Sequence, residues 1–228
     1  MEKHSSKTGV IIAAIVALVI GGVAGYAISM NMKDDSNTST MSVSEDNPNT
    51  ATKAADARVG LNNLLREHVS SSLNVTRNIV DDSADLEASL ASQTANAGEI
   101  AAFVGSVYGE EAQTKITELF VDHIEQANAY AMAVDAGDEA AKAEAVAELR
   151  EYLTEISAFF SGAIEGLPQD TVYSLLNEHE TLLNNSVEAY QAGDFTRSYE
   201  LEREALTQVS GIADALAKGI VSTQADKF

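Results

Sequence analysis

From residue 58 onward, apolar residues return every three or four positions, the spacing of a helix with one buried face. Val172, Leu175, Leu176, Leu182, Leu183, Val187 and Tyr190 form one such stripe. Leu61, Leu64, Leu65, Val75 and Ile79 form a second, and Ile116, Leu119, Phe120, Tyr130 and Val134 a third. The pattern predicts six helices, at about 61–80, 84–107, 110–135, 138–164, 168–191 and 194–222. Short turns between them make successive helices antiparallel neighbours. The expected fold is all-α: three tandem helical hairpins forming a bundle.

The hairpins are copies of one another. LNNLLREH (61–68), ITELFVDH (116–123) and VYSLLNEH (172–179) end in His residues spaced 55 and 56 apart. Copies two and three align without a gap at an offset of 56: Asn128 matches Asn184, and Ala136-Gly137-Asp138 matches Ala192-Gly193-Asp194. Glu144 and Glu148 likewise match Glu200 and Glu204. A repeat of this length is the mark of duplication. In the AGD turns, the Gly suits the left-handed position that ends a helix, and the Asp suits the cap of the next. The first copy carries Asp81-Asp82 near that place. Pro168 suits the first turn of the fifth helix.

The amino-terminal quarter has a different pattern. Residues 9–30, GVIIAAIVALVIGGVAGYAISM, are 22 residues without a charge. At about 1.5 Å per residue, that length spans a bilayer core of about 30 Å. Lys3 and Lys7 precede it, and Lys33, Asp34 and Asp35 follow it. The positive-inside rule then puts residues 1–8 in the cytoplasm and the rest outside. The expectation is a single-pass signal-anchor at 9–30, in the cell membrane. A cleaved signal peptide is the alternative, with Gly25-Tyr26-Ala27 as a small-residue site, but the apolar run exceeds the usual length of such peptides. Residues 31–57 are rich in Ser, Thr, Asn and Asp, with almost no large apolar side chain. They read as a flexible polar linker. Residues 58–228 form the extracytoplasmic domain.

Charge and composition narrow the function. The chain carries 14 Lys/Arg against 35 Asp/Glu, a net charge of −21, and no Cys. Nucleic acid is excluded as a partner, because its phosphates need basic side chains. Disulfides, thiolate metal sites and thiol nucleophiles are excluded with the cysteines. The motifs of the Ser hydrolases, P-loop enzymes, zinc proteases and dinucleotide-binding enzymes are absent. No Glu-x-x-His occurs in the domain, so ferritin-like di-iron chemistry is not expected. The expectation is a non-enzymatic protein.

His68, His123 and His179 stand out. Each sits in the apolar stripe, seven residues after its first member. A buried imidazole needs partners for its ring nitrogens. One reading is that each His is a satisfied core residue. The other is a shared metal site. If the hairpins pack around a pseudo-threefold axis, three imidazoles converge, a donor set that suits Zn, Cu, Ni or Fe, with haem as a less specific variant. If the hairpins stack as an open solenoid, the His residues form a spaced row and no joint site exists. The preceding acids, Glu67, Asp122 and Glu178, point about 100° away on a helix and read as solvated charges. Six tyrosines, from Tyr108 to Tyr199, read as helix-packing residues.

The turn segment AYQAGDFTRSYELEREAL resembles a tetratricopeptide turn, but the period of about 56 is not that of the tetratricopeptide family. With its apolar-x-x-apolar-apolar-x-x-His helices and AGD turns, the 58–228 region resembles a group of bacterial secreted or membrane-anchored tandem helical-hairpin proteins of unsettled activity. Some sequences of that kind carry a copper amine oxidase label. The Asn-Tyr-Asp/Glu-Tyr cofactor motif of such an enzyme is absent here, so the activity is not carried over. The functional expectation is a membrane-anchored binding protein, with a transition metal (Cu, Zn or Fe) on His68, His123 and His179. The alternative is a structural or interaction protein that meets another envelope component and holds no metal.

Overall fold

The computed structural model describes residues 52–228. Within them lie six helices and no strand: α1 (Lys53–Val80), α2 (Leu86–Tyr108), α3 (Glu110–Ala136), α4 (Glu139–Ala163), α5 (Gln169–Gln191) and α6 (Phe195–Thr223). The expected anchor at 9–30 and most of the expected linker lie outside the described residues. Residues 53–57, expected as the end of that linker, are helical instead. Thr52 caps them through its side-chain oxygen, which accepts from Ala55 N at 3.1 Å. Alanines at 54, 55 and 57 carry the helix through this turn at little cost in side-chain entropy. No described helix is long and apolar enough to cross a membrane.

The hairpins close into a ring. Helices α1, α3 and α5 touch one another at the centre. Each even-numbered helix lies in the outer groove between two of these: α2 against α1 and α3, α4 against α3 and α5, α6 against α5 and α1. This is the pseudo-threefold bundle, and the open solenoid is set aside. The three stripes face the axis, where Leu61, Val69, Ile116, Leu119, Val172 and Leu183 are all buried. A smaller apolar cluster (Val75, Ile79, Leu90, Ala131 and Val187) occupies the end nearest the three intra-hairpin turns.

Those turns follow the repeat. Gly137 and Gly193 adopt φ of 65° and 77°, a left-handed conformation without steric cost for Gly. Asp138 Oδ1 accepts from Ala140 N and Ala141 N, and Asp194 Oδ1 accepts from Arg197 N. In the first hairpin Asp82 occupies the equivalent place with φ of 50°. Pro168 stands at the cap just before α5, rather than inside its first turn.

Candidate functional site

The odd helices run parallel around the axis, so their equivalent His residues arrive at one level. His68, His123 and His179 are 3%, 2% and 4% exposed. The Nε2 atoms of His68 and His123 face each other at 3.2 Å. The ring centroids of His68 and His123 are 5.3 Å apart, and those of His68 and His179 are 6.0 Å apart. Phe120 closes one side, with its ring edge-on to both His68 and His123. Burial holds the His68 imidazole down to about 4 and the His179 imidazole down to about 3. It also holds His123 well below the usual range, reinforced by the other two rings. All three are neutral at pH 7.

Each ring has a polar or aromatic neighbour from the outer layer. Asn96 on α2 lies beside His68 and Gln208 on α6 beside His179, and each amide pulls its imidazole upward against the larger effect of burial. Tyr152 on α4 stacks on His123, with centroids 4.6 Å apart and planes at 14°. Asn96, Tyr152 and Gln208 are themselves repeat-equivalent, one period of 56 apart. Asn96 Nδ2 donates to Leu64 O at 3.0 Å, and Gln208 Nε2 donates to Leu175 O at 2.6 Å. Leu64 and Leu175 are each four residues before the His of their own helix. The two amides are therefore anchored in the same way, one turn from the imidazole beside each of them. The amide oxygens of Asn96 and Gln208, and the Nδ1 atoms of all three His, are buried without a hydrogen-bond partner.

His123 meets a carboxyl instead of an amide. Glu180 Oε1 lies 3.5 Å from His123 Nδ1, and Glu180 is only 6% exposed. Burial raises the Glu180 carboxyl to about 8, so at pH 7 it is mostly protonated. The contact is between neutral groups. A protonated carboxyl can donate to Nδ1, and His123 Nε2–H can then donate to His68 Nε2.

A turn further along lies a second polar run. Asn128 Nδ2 donates to Gln93 Oε1 at 3.2 Å, and Gln93 Nε2 donates to Ser72 Oγ at 3.3 Å, all three residues being buried. Gln93 falls between Leu90 of the smaller cluster and Ala97 of the larger one, and Asn128 falls between Ile124 and Ala131. This run divides the apolar interior.

The structure thus brings together the three His residues named from the sequence. It leaves Glu67, Asp122 and Glu178 exposed, along with Glu144, Glu148, Glu200 and Glu204. Of the tyrosines, Tyr130 and Tyr152 are buried, while Tyr199 is 53% exposed, under the Arg77 guanidinium at 4.4 Å. Sequence reasoning missed Asn96, Gln208, Gln93 and Glu180. Glu180 was detectable: the residue after each His is Val69, Ile124 and Glu180, an acid where the other copies are apolar.

As the side chains stand, no group of three or more His, Asp or Glu among the described residues is arranged to hold a metal ion. No family model, no curated protein and no solved structure matches this chain.

Proposed function

We propose that this chain is a membrane-anchored, extracytoplasmic binding protein without enzymatic activity, whose helical domain takes one transition-metal ion on His68, His123 and His179. The anchor is residues 9–30, the N-terminus is cytoplasmic, and the charge of −21 leaves nucleic acid out as a partner. The observation that carries the reading is the facing pair of ring nitrogens, Nε2 to Nε2 at 3.2 Å. Two imidazoles bound to one tetrahedral ion at about 2.0–2.1 Å place their nitrogens about 3.3 Å apart. A cation would take the place of the proton that lies between these two atoms. His179, 6.0 Å from His68 by ring centroids, is the third ligand and must turn toward the pair. Zn, Cu, Ni and Fe are the ions that an all-imidazole set suits.

The reading is tested by thermal unfolding of the full chain in detergent. Added Zn²⁺, Cu²⁺, Ni²⁺ or Fe²⁺ should raise the melting temperature of the wild type by binding the folded state. The increment should vanish in His179→Leu. An equal increment in both proteins, or none in either, ends the metal reading.

A second reading is favoured by the lack of any ready-made ligand group among the described residues. In it the His layer and the Ser72–Gln93–Asn128 run set the helix register of a structural bundle. Its acidic faces would then meet another envelope component. Buried polar groups can specify packing in this way at some cost in stability.

A further inference from the structure

We infer that Asn96 and Gln208 are positioning residues, which hold His68 and His179 in the tautomer with hydrogen on Nδ1 and leave both Nε2 atoms without hydrogen. This deepens the metal reading and rests on it only for the use made of the bare nitrogens. Asn96 Nδ2 is committed to Leu64 O, and Gln208 Nε2 to Leu175 O. Each bond ties the NH₂ end of the amide to the turn preceding the imidazole. What remains for the ring is the amide oxygen, which can only accept. Asn96 Oδ1, Gln208 Oε1 and the Nδ1 atoms of His68 and His179 are all buried, and none has a hydrogen-bond partner as the side chains stand. They form two complementary pairs only if each Nδ1 carries the hydrogen. His68 Nε2 is directed elsewhere, to His123.

The same solution appears twice, two repeat periods apart, on helices that do not touch each other. In the middle repeat the amide is replaced by Tyr152, and a carboxyl from the next hairpin, Glu180, faces Nδ1 instead. On this inference all three Nδ1 atoms are paired with oxygen from outside their own helix turn. A metal-binding His is held in this way, its second ring nitrogen donating to a carbonyl or carboxylate that fixes both tautomer and ring angle. A bundle that used His only as filler would have no reason to orient two amides identically.

The test is long-range ¹H–¹⁵N correlation of the metal-free full chain in detergent micelles, with ¹⁵N-histidine. Single His→Gln variants assign the signals. At pH 7, His68 and His179 should each show a protonated Nδ1 and a bare Nε2. Asn96→Leu should move His68 toward the Nε2–H form and leave His179 unchanged, and Gln208→Leu should do the converse. Gln208→Asn, which keeps an amide, should restore part of the wild-type pattern at His179. A wild-type spectrum with hydrogen on Nε2 of His179 overturns the inference, and needs no variant to fold. So does an unchanged tautomer in both leucine variants. Zn²⁺ titration of the same samples separates the two claims. The expected Nδ1–H tautomers with no Zn²⁺, Cu²⁺, Ni²⁺ or Fe²⁺ bound would leave the positioning role standing and remove the metal. Metal bound by a wild type whose apo rings carry hydrogen on Nε2 would do the opposite. Where both claims hold, each leucine variant should lose roughly 10–100-fold in metal affinity.

Discussion

His68 and His123 present the same ring atom, Nε2, to each other across 3.2 Å, in a layer where neither ring is more than 3% exposed. Two bare lone pairs at that distance repel, and two N–H groups collide. One hydrogen or one cation must lie between them. Glu180, mostly protonated at pH 7 and 3.5 Å from His123 Nδ1, can supply the neutral solution by donating there. The state of this pair thus depends on a single particle between the two rings.

Stability should therefore vary with pH around this layer. The imidazoles have folded pKa values below the ordinary 6.5, so the unfolded chain binds more protons as pH falls from about 6.5 toward about 4. Stability falls over that window. Glu180 acts in the opposite sense: its folded value of about 8 lies above the ordinary 4.5, so its contribution is lost as pH rises through 8. Three imidazoles outweigh one carboxyl below 6.5, with a net slope of up to about 2.7 kcal/mol per pH unit. Denaturant unfolding from pH 4 to 9 should show an optimum near 6.5. Glu180→Gln should flatten the decline above it and leave the acid limb in place.

The Ser72–Gln93–Asn128 run should be costly to break. Gln93 is 1% exposed and bonds in both directions. Gln93→Leu leaves the Asn128 amide buried without its acceptor, and should lower unfolding free energy by about 1–3 kcal/mol. A loss smaller than the error of a urea titration would mean that the run contributes nothing to stability.

At the third hairpin turn, Gly193→Ala forces an L side chain to φ of 77°. A left-handed residue with a Cβ costs about 1–2 kcal/mol, and the melting temperature should fall accordingly. Gly137→Ala should behave alike. Asp82 at φ of 50° indicates that the fold accepts a side chain at this place in the first copy, so neither change should abolish folding.

Much of this architecture was legible in the sequence. The stripes of Leu61, Ile116 and Val172 marked the inner helices, and the 55- and 56-residue spacing of the His residues placed them in one register. Gly137 and Gly193 located two turns because only Gly takes a left-handed turn freely. Ring closure was not legible, because periodicity fixes which face of a helix is buried and not which helices meet. Asn96 and Gln208 were hidden for a related reason. An amide on an outer helix looks like any polar surface residue until its neighbour is known. The start of α1 at Lys53 was obscured by the polar tract before it, whose composition shades into the first helical turn.

If the three imidazoles share one metal ion, the metal content of the purified protein must show it. Full-length chain without an affinity tag would be purified alongside the His68→Ala, His123→Ala, His179→Ala triple variant, and both would be analysed for transition metals. Close to one Zn, Cu, Ni or Fe per wild-type chain is expected, and none in the variant. Equal content in the two proteins, or a wild type that stays empty after incubation with each of these ions, would contradict it.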